Sequence, residues 1–477
     1  MCEPDRIPSQ EGISEMKVNS TVNVVVEAAG TQVVGHVGLH ALGLFADRLG
    51  VGGTLSAAVG WKGPGVPVHD RGKVLVQTML ILAGGGESCS DIEALGAQGR
   101  LFGVVCSDST LYRTFTESMD PAALARAGEA MAGIRSQVWS RSPSLWGDDP
   151  VFLDVDASLV DIHSENKEGT AAHYKGGFGF HPMFCFVDGS GEAVAGRLRP
   201  GNAAANNTVD LLGVIDDAIG QLPEVVAAGH RPGDHTEMVS RRIVVRSDSA
   251  GGQAFTKGCR DRNLGFGTVA RRNVAVSGAV AVANADPGRW EPALNQDRSP
   301  QLDADGQPVS EVCEVTDLVD LRDWPEGTRL IVRREPLHPG AQQSLLPDLE
   351  YRFWGHYTDQ AGIPAELDRL MRAHAHVEDH IQRLKDSGLL RFPFTSFKAN
   401  QAWLQMVCWA ADLVRWFQLL CLTGALTRAL PKRLRWTLWH TPARIIRTAR
   451  RDTIRILDGW PTSGDILGAY GRIAALT

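Results

Sequence analysis

The sequence predicts an α/β fold, and three patterns carry the prediction. Short apolar runs at 150–155, 177–187 and 193–198 read as three consecutive strands, the last two joined by the turn sequence DGSG at 188–191. Helical and strand periods then alternate, with helices at 207–221 and 251–262 and strands at 242–246 and 265–270. Three antiparallel strands followed by this alternation is the element order of an RNase H-like fold. In that order the first and fourth strands lie side by side, which makes Asp156 and Asp248 neighbours.

The flanking segments are justified in turn. Residues 1–20 are polar and lack an apolar stretch, so a disordered tail is expected there and no secretory signal. Residues 21–145 form an expected helical region: GHVGLHALGLFADRLG, DRGKVLVQTMLILAGG and SDIEALGAQ carry apolar residues at helical intervals, and glycines at 50, 52, 53 and 84–86 stop them. Such a region suits DNA binding through a helix-turn-helix or dimerisation, and both stay open. The catalytic domain is expected at 146–270 and again at 361–425. Between its parts, residues 271–360 hold the short β-like runs LIVRREP and LEYRFWGHYT among loop residues, which predicts a β-rich insertion domain. A single helix is expected from 364 to 387, with Gly388 as its stop. The stretch 402–426 is strongly apolar, but Asp412 and Arg415 would each cost roughly 2.5–3.5 kcal/mol at a bilayer centre, so a buried core helix is predicted and no membrane partner. Residues 426–477 are expected to be a basic helical C-terminal region.

Composition narrows the function. The chain has 477 residues, 43% hydrophobic and 22% charged, as in folded proteins. Its net charge of −7 does not advertise a nucleic-acid binder, so any such surface must be local. One local surface is visible: between 428 and 455 stand nine Lys or Arg against Asp452 alone, with Arg444, Arg447, Arg451 and Arg455 recurring at helical spacing. The eight cysteines are scattered without a CxxC pair, which argues against a disulfide framework or a zinc site and predicts reduced thiols in a cytoplasmic protein.

Chemistry is read from three acids. Asp156 ends the apolar run VFLDVDASLV, Asp248 ends RRIVVRSD, and Glu378 sits in RAHAHVEDHIQRLK. Carboxylates gathered from two strand ends and a distant helix are the oxygen ligands a two-metal phosphoryl-transfer site needs. Asp156 is favoured over Asp154 because the strand turns out to Ser158 just after it; Asp154, on the same face, remains the alternative first ligand. The HAHVEDH run does not make a zinc site, since His374 and His376 diverge by about 200° on a helix.

Several segments together carry a resemblance: HDRGKVLVQTMLILAGGGESCSDIEALGAQGRLFGVVCSDSTLYRTF, LDVDASLV, RPGNAAANN, VVRSDSAGG and RAHAHVEDHIQRLKDSGLLRFPFTSFKANQAWLQMVCWAADL. From about residue 33 onward the chain resembles bacterial insertion-sequence transposases of the DDE type, most specifically the 1380 group. The resemblance implies an RNase H-like catalytic domain with a β-rich insertion and a triad at Asp156, Asp248 and Glu378 holding two Mg²⁺ ions, with Mn²⁺ able to substitute. It implies cleavage at the element ends and strand transfer into target DNA, of the cut-and-paste type, by a homodimer on DNA that engages terminal inverted repeats and flanking DNA. The setting it implies is the bacterial cytoplasm, nucleoid-associated. Relatives carry a Tyr, Arg, Glu, Lys pattern around the last acid. Here Glu378 and Lys385 match it, Met371 and His374 stand at the first two positions, and Arg372 lies beside them. The implied DNA contacts are therefore Lys385, Arg372 and His374, together with the basic face of Arg444, Arg447, Arg451 and Arg455. Trp290, Trp324 and Trp354 could hold a flipped base as in some relatives, though core packing is expected for each. Two rival functions remain: a transposase-derived DNA-binding protein that no longer cuts, and a metal-dependent phosphoesterase acting on small esters.

Overall fold

The computed structural model describes residues 32–61, 63, 65–142, 150–248, 252–337, 351–449 and 451–476, and the paired backbone segments Ser14–Glu15 and Val25–Val26. The tail expected at 1–20 lies, apart from Ser14–Glu15, outside the described residues. The N-terminal region is helical as expected, with α1 (Val37–Arg48), α2 (Val51–Val59), α3 (Arg71–Gly84) and α4 (Pro121–Ser140). Their starts follow from local chemistry: Asp70 accepts the Lys73 amide at the head of α3, and Asp120 accepts the Ala123 amide ahead of Pro121 in α4.

Nine strands of the described residues form one sheet. In chain order they are β1 (Val151–Ala157), β2 (Met183–Val187), β3 (Glu192–Arg197), β4 (Ile243–Ser247), β5 (Gly265–Val269), β6 (Glu291–Pro292), β7 (Glu311–Glu314), β8 (Arg329–Pro336) and β9 (Tyr351–Thr358). Their spatial order is β6-β7-β8-β9-β5-β4-β1-β2-β3. β1 and β4 pair in parallel, with Arg246 beside Asp154 and Ser247 beside Val155, as the expected element order requires. The helices α5 (Thr208–Ile219) and α6 (Gly252–Arg260) fall where expected, α5 capped by Asn207. Residues 249–251, expected to open α6, lie outside the described residues.

The pleat sorts the two faces of β1 and β4. Leu153, Val155 and Val245 point into an apolar core with Leu211, Val214 and Ile215 of α5. Asp154, Asp156, Arg246 and Asp248 therefore share the other face.

Four expectations need correction. The strand predicted at 177–187 is two: Phe178–Phe180 belongs to a separate small sheet, and Pro182, which cannot donate a ladder hydrogen bond, separates it from β2. The insertion at 271–360 is not a separate β module. It opens with helix α7 (Val274–Asn284), and its strands extend the central sheet, because β9 pairs antiparallel with β5. The helix predicted over 364–387 is segmented into α8 (Pro364–Arg372), a tight turn at Ala373–Ala375 and α9 (His376–Leu384), with non-helical backbone at Ser387 and Gly388. The basic C-terminal region is not one helix. Strands β10 (Ala443–Thr448) and β11 (Arg451–Ile456) form an antiparallel ribbon there, before a last helix, Ser463–Ala475. β-branched Ile and Thr suit a pleated surface, and Ala443, Ile445, Ile454 and Ile456 fall on one face of the ribbon, where Ile445 is buried; the 3–4 spacing of the arginines coincided with a helical period.

The apolar stretch near 402–426 is the buried helix α10 (Phe397–Cys421). Trp403, Leu404, Val407 and Trp416 of α10 share one core with Leu42 and Phe45 of α1 and Leu75, Met79 and Leu82 of α3. α1 also crosses the turn at Arg435–Trp439 so closely that a Cβ on Gly38 would lie 2.2 Å from the Leu438 carbonyl oxygen. Because α3 is buried almost all round, it cannot enter a DNA groove as a recognition helix. No helix among the described residues is long and apolar enough to cross a membrane.

Candidate active site

Asp156 and Asp248 become neighbours through the β1–β4 register: the pairs Arg246–Asp154 and Ser247–Val155 lead directly to them at the strands' carboxyl ends. Both line an open cleft of about 490 Å³, and Glu378 of α9 lines the same cleft. Three acids far apart in the chain thus face one space. Asp156 is half-buried, while Asp248 and Glu378 are exposed. Burial first, and the Asp248 charge second, push the Asp156 carboxyl up to about 6, with a smaller push from Glu378.

Asp154 has a different role from Asp156. It is wholly buried and accepts two hydrogen bonds from Arg246, at 2.8 Å to Nε and 2.7 Å to Nη2. Its Oδ1 also meets His374 Nδ1 at 2.7 Å. A carboxylate already ionised by a guanidinium only accepts, so His374 carries its proton on Nδ1 and turns Nε2 away. That Nε2 is buried without a protein hydrogen-bond partner, and His374 lines the cleft.

Arg246 is the hub of a larger brace. It also pairs with Asp188 at 2.8 Å and donates to the Leu370 carbonyl at the end of α8 at 2.6 Å. Asp188 in turn meets His376 at 2.8 Å. Burial would raise the Asp188 carboxyl, but the His376 hydrogen bond and the Arg246 charge outweigh it and hold it at about 2. Through Asp154 and Asp188 the sheet therefore grips both ends of the turn that leads into α9, and this fixes Glu378 over the strands.

The cleft has a cationic wall of which the sequence reading singled out Arg372 alone. Arg271 and Arg272 follow β5, Arg333 comes from β8, and Arg372 from α8. Arg372 itself is engaged by Asp368 at 2.7 Å and by the Leu294 carbonyl. Trp354 of β9 lines the same wall, 42% exposed, with the Arg333 and Arg352 guanidinium carbons 4.9 and 5.7 Å from its ring. The other two tryptophans serve packing: Trp290 is buried with its Nε1 donating to the Ala283 carbonyl, and Trp324 stacks on Tyr357 at 4.0 Å.

The remaining sequence-selected residues are dispersed. His374 is buried against Asp154 rather than presented at the surface. Lys385 is half-buried at the turn after α9 and is not among the cleft-lining residues. Arg444, Arg447, Arg451 and Arg455 are exposed on the ribbon, where Arg444 pairs with Arg455 and Arg447 with Asp452 in register. Strand alternation therefore groups Arg444, Arg451 and Arg455 on one face and turns Arg447 to the other. A lone arginine inside IVVRSD was the signal for the brace, since a charge in an apolar strand demands a buried partner.

Among the described residues no three His, Cys, Asp or Glu are drawn together closely enough to cage an ion. The donor set nevertheless fits a hard cation. Mg²⁺ keeps most of its waters and needs only one or two carboxylates, and a half-buried Asp156 strained by its acidic neighbours is relieved by a positive ion.

The family model for Transposase DDE domain group 1 matches residues 16–477. Among solved structures, the chain is similar to piggyBac transposase in a synaptic complex with hairpin DNA, at 11% identity and a TM-score of 0.37, over 85% of this chain and 80% of that one. No curated protein sequence matches. With the family model spanning nearly its whole length, this chain belongs to the DDE transposase family, group 1.

Proposed function

We propose that the protein is a metal-dependent DNA transposase of the 1380 group of insertion sequences. It cuts DNA at the element ends and joins them to target DNA in the cut-and-paste manner. The observation that carries this reading is the meeting of Asp156, Asp248 and Glu378 on one cleft beside a wall of arginines. Asp156 and Asp248 would hold two divalent cations, Mg²⁺ or Mn²⁺, with Glu378 completing the set. Bound there, the ions supply activation of a water at neutral pH and neutralise charge on the phosphate oxygens.

The chain's own residues do the rest. Arg271, Arg272 and Arg333 hold the phosphodiester backbone against the acids, and the Asp154–Arg246–Asp188 brace keeps Glu378 in register with β1 and β4. Water attacks the scissile phosphorus and the 3′-oxygen leaves, taking up a proton; the freed 3′-hydroxyl then gives up that proton and attacks a target phosphodiester in line, expelling the 3′-oxygen of the target strand. The ribbon face of Arg444, Arg451 and Arg455, with Lys385, tracks flanking phosphates. Two copies on DNA bring both ends together, and the compartment is the bacterial cytoplasm.

The test is cleavage of a duplex carrying the DNA that flanks this gene, with Mg²⁺ or Mn²⁺, comparing wild type with Glu378→Gln at matched DNA occupancy. The reading expects nicking at a defined end by the wild type, and a loss of roughly a hundred- to a thousand-fold in the variant. Binding without cutting by both proteins would leave a DNA-binding protein and remove the catalytic assignment.

A further inference from the structure

Between β1 and β2 the chain builds a small three-stranded sheet whose position gives it a role. Val160–Asp161 and Ala171–Ala172 both pair with Phe178–Phe180. The sheet emerges where Ala157 pairs with Met183, immediately beyond Asp156. The chain therefore leaves for this sheet from the end of β1 that carries Asp156 and returns from it into β2.

The tip of this projection is a tight turn closed by the Gly176 amide donating to the His173 carbonyl at 3.0 Å. Gly176 takes a φ of 85°, which only glycine adopts without strain. The turn is held from below. His173 Nε2 meets Asp161 at 2.7 Å, and a Cβ on Gly177 would lie 2.2 Å from that Asp161 oxygen and 2.4 Å from that imidazole nitrogen. The base is thus rigid and its acid is already engaged.

At the two central positions stand Tyr174 and Lys175, where turn chemistry favours small polar residues. Tyr174 is 76% exposed, its ring 6.4 Å from that of His181 at the root of β2. Lys175 is exposed, and its ammonium lies 5.8 Å from the Tyr174 ring. Neither side chain serves the turn or the core. An aromatic face beside a cation, on a stiff support inserted between β1, which carries Asp156, and β2, is the pairing that stacks a base and neutralises its phosphate.

We infer that the Tyr174–Lys175 turn is a DNA contact, in which the Tyr174 ring stacks on a base that is unstacked beside the scissile phosphate and Lys175 neutralises a backbone phosphate. The inference rests on the proposed transposase reading and adds a contact that none of the acids or arginines above supplies.

The test uses the full chain and a duplex of the DNA flanking this gene, with 2-aminopurine substituted in turn at the positions around the cut. Wild type should quench or enhance the fluorescence at one position on binding in Ca²⁺, which supports binding without requiring turnover. Tyr174→Ala should abolish that change and weaken binding by roughly five- to a hundred-fold, while Tyr174→Trp restores both. Lys175→Gln should lower the slope of log K against log salt by about one. Far-UV circular dichroism and melting should be unchanged in each, since the turn residues are exposed. Wild-type behaviour of Tyr174→Ala, or failure of Tyr174→Trp to restore the signal, overturns the inference even if the wild type cuts DNA. A wild type that binds no DNA fails on the transposase reading first.

Discussion

His374 and Asp154, 220 residues apart, share a buried hydrogen bond of 2.7 Å, and the same carboxylate is clamped by Arg246. The acid that looked like a rival metal ligand is the foundation under the one that faces the cleft. Asp154→Ala removes one of the two carboxylates that hold the buried Arg246 guanidinium, and breaking such a buried pair costs up to about 3–5 kcal/mol, with Asp188 left as the remaining partner. The expected result in urea unfolding is a loss of that size. His374→Asn, which keeps a donor but shortens the reach, should fold with a smaller loss yet cut DNA poorly, because α9 is no longer held to β1. Equal cutting by His374→Asn and wild type would remove the positioning role.

Asp156 gives a pH dependence. Its ordinary value is 3.8 and its folded value about 6, so the folded state disfavours the ionised form. That penalty is fully present above about 6 and disappears as the pH falls through the folded value toward 3.8. A cation must displace the proton below about 6. Mn²⁺ affinity should therefore fall up to about tenfold per pH unit in that window, with proton release visible by calorimetry in buffers of different ionisation enthalpy. Asp156→Asn should bind weakly at every pH and release no proton.

Far from the cleft, Arg135 joins two buried acids, Glu192 at 2.9 Å and Asp412 at 2.6 Å. Trp139 and Trp416 also donate to Glu192, and the Ala193 amide donates to Asp412. These bonds tie α4, β3 and α10 together. Arg135→Met should destabilise by about 3–5 kcal/mol, since it strands two carboxylates in the core. The triple replacement of Arg135, Glu192 and Asp412 by apolar residues should recover part of that loss in the same denaturation experiment.

The C-terminal ribbon separates two readings of the same arginines. On a strand, Arg444, Arg451 and Arg455 share a face and Arg447 does not. Replacing the first three by Gln should lower the salt slope of DNA binding by about three, at roughly 0.9 per phosphate contact. Arg447→Gln, beside Asp452, should change it little; equal effects from all four would favour the helical spacing.

Much of the centre was legible because strand order and pleat are local properties that propagate. VFLDVD and IVVRSD each end an apolar run in an acid, and parallel pairing of like strands brings those ends together. The segmentation at 373–375 was not legible, and although the lone arginine in IVVRSD signalled a buried partner, its identity was not, because Asp188, Arg246 and His376 meet only through tertiary structure. The ribbon was misread for a simpler reason. Arginines at intervals of three and four satisfy a helix, while the face that Ala443, Ile445, Ile454 and Ile456 share forms only once the two strands pair. Apart from Arg372, the cationic cleft wall was hidden because Arg271, Arg272 and Arg333 come from separate elements.

The core shared by α1, α3 and α10 has a bearing on how the protein comes into being. The first helices emerge from the ribosome with their apolar faces uncovered and wait for a partner made more than three hundred residues later. Glu378 precedes that partner by only a short stretch of chain, so the last acid and the last wall of the core are delivered almost together. A nascent chain released before α10 therefore lacks the wall that closes the core of α1 and α3, and one released slightly earlier lacks the third of the clustered acids as well.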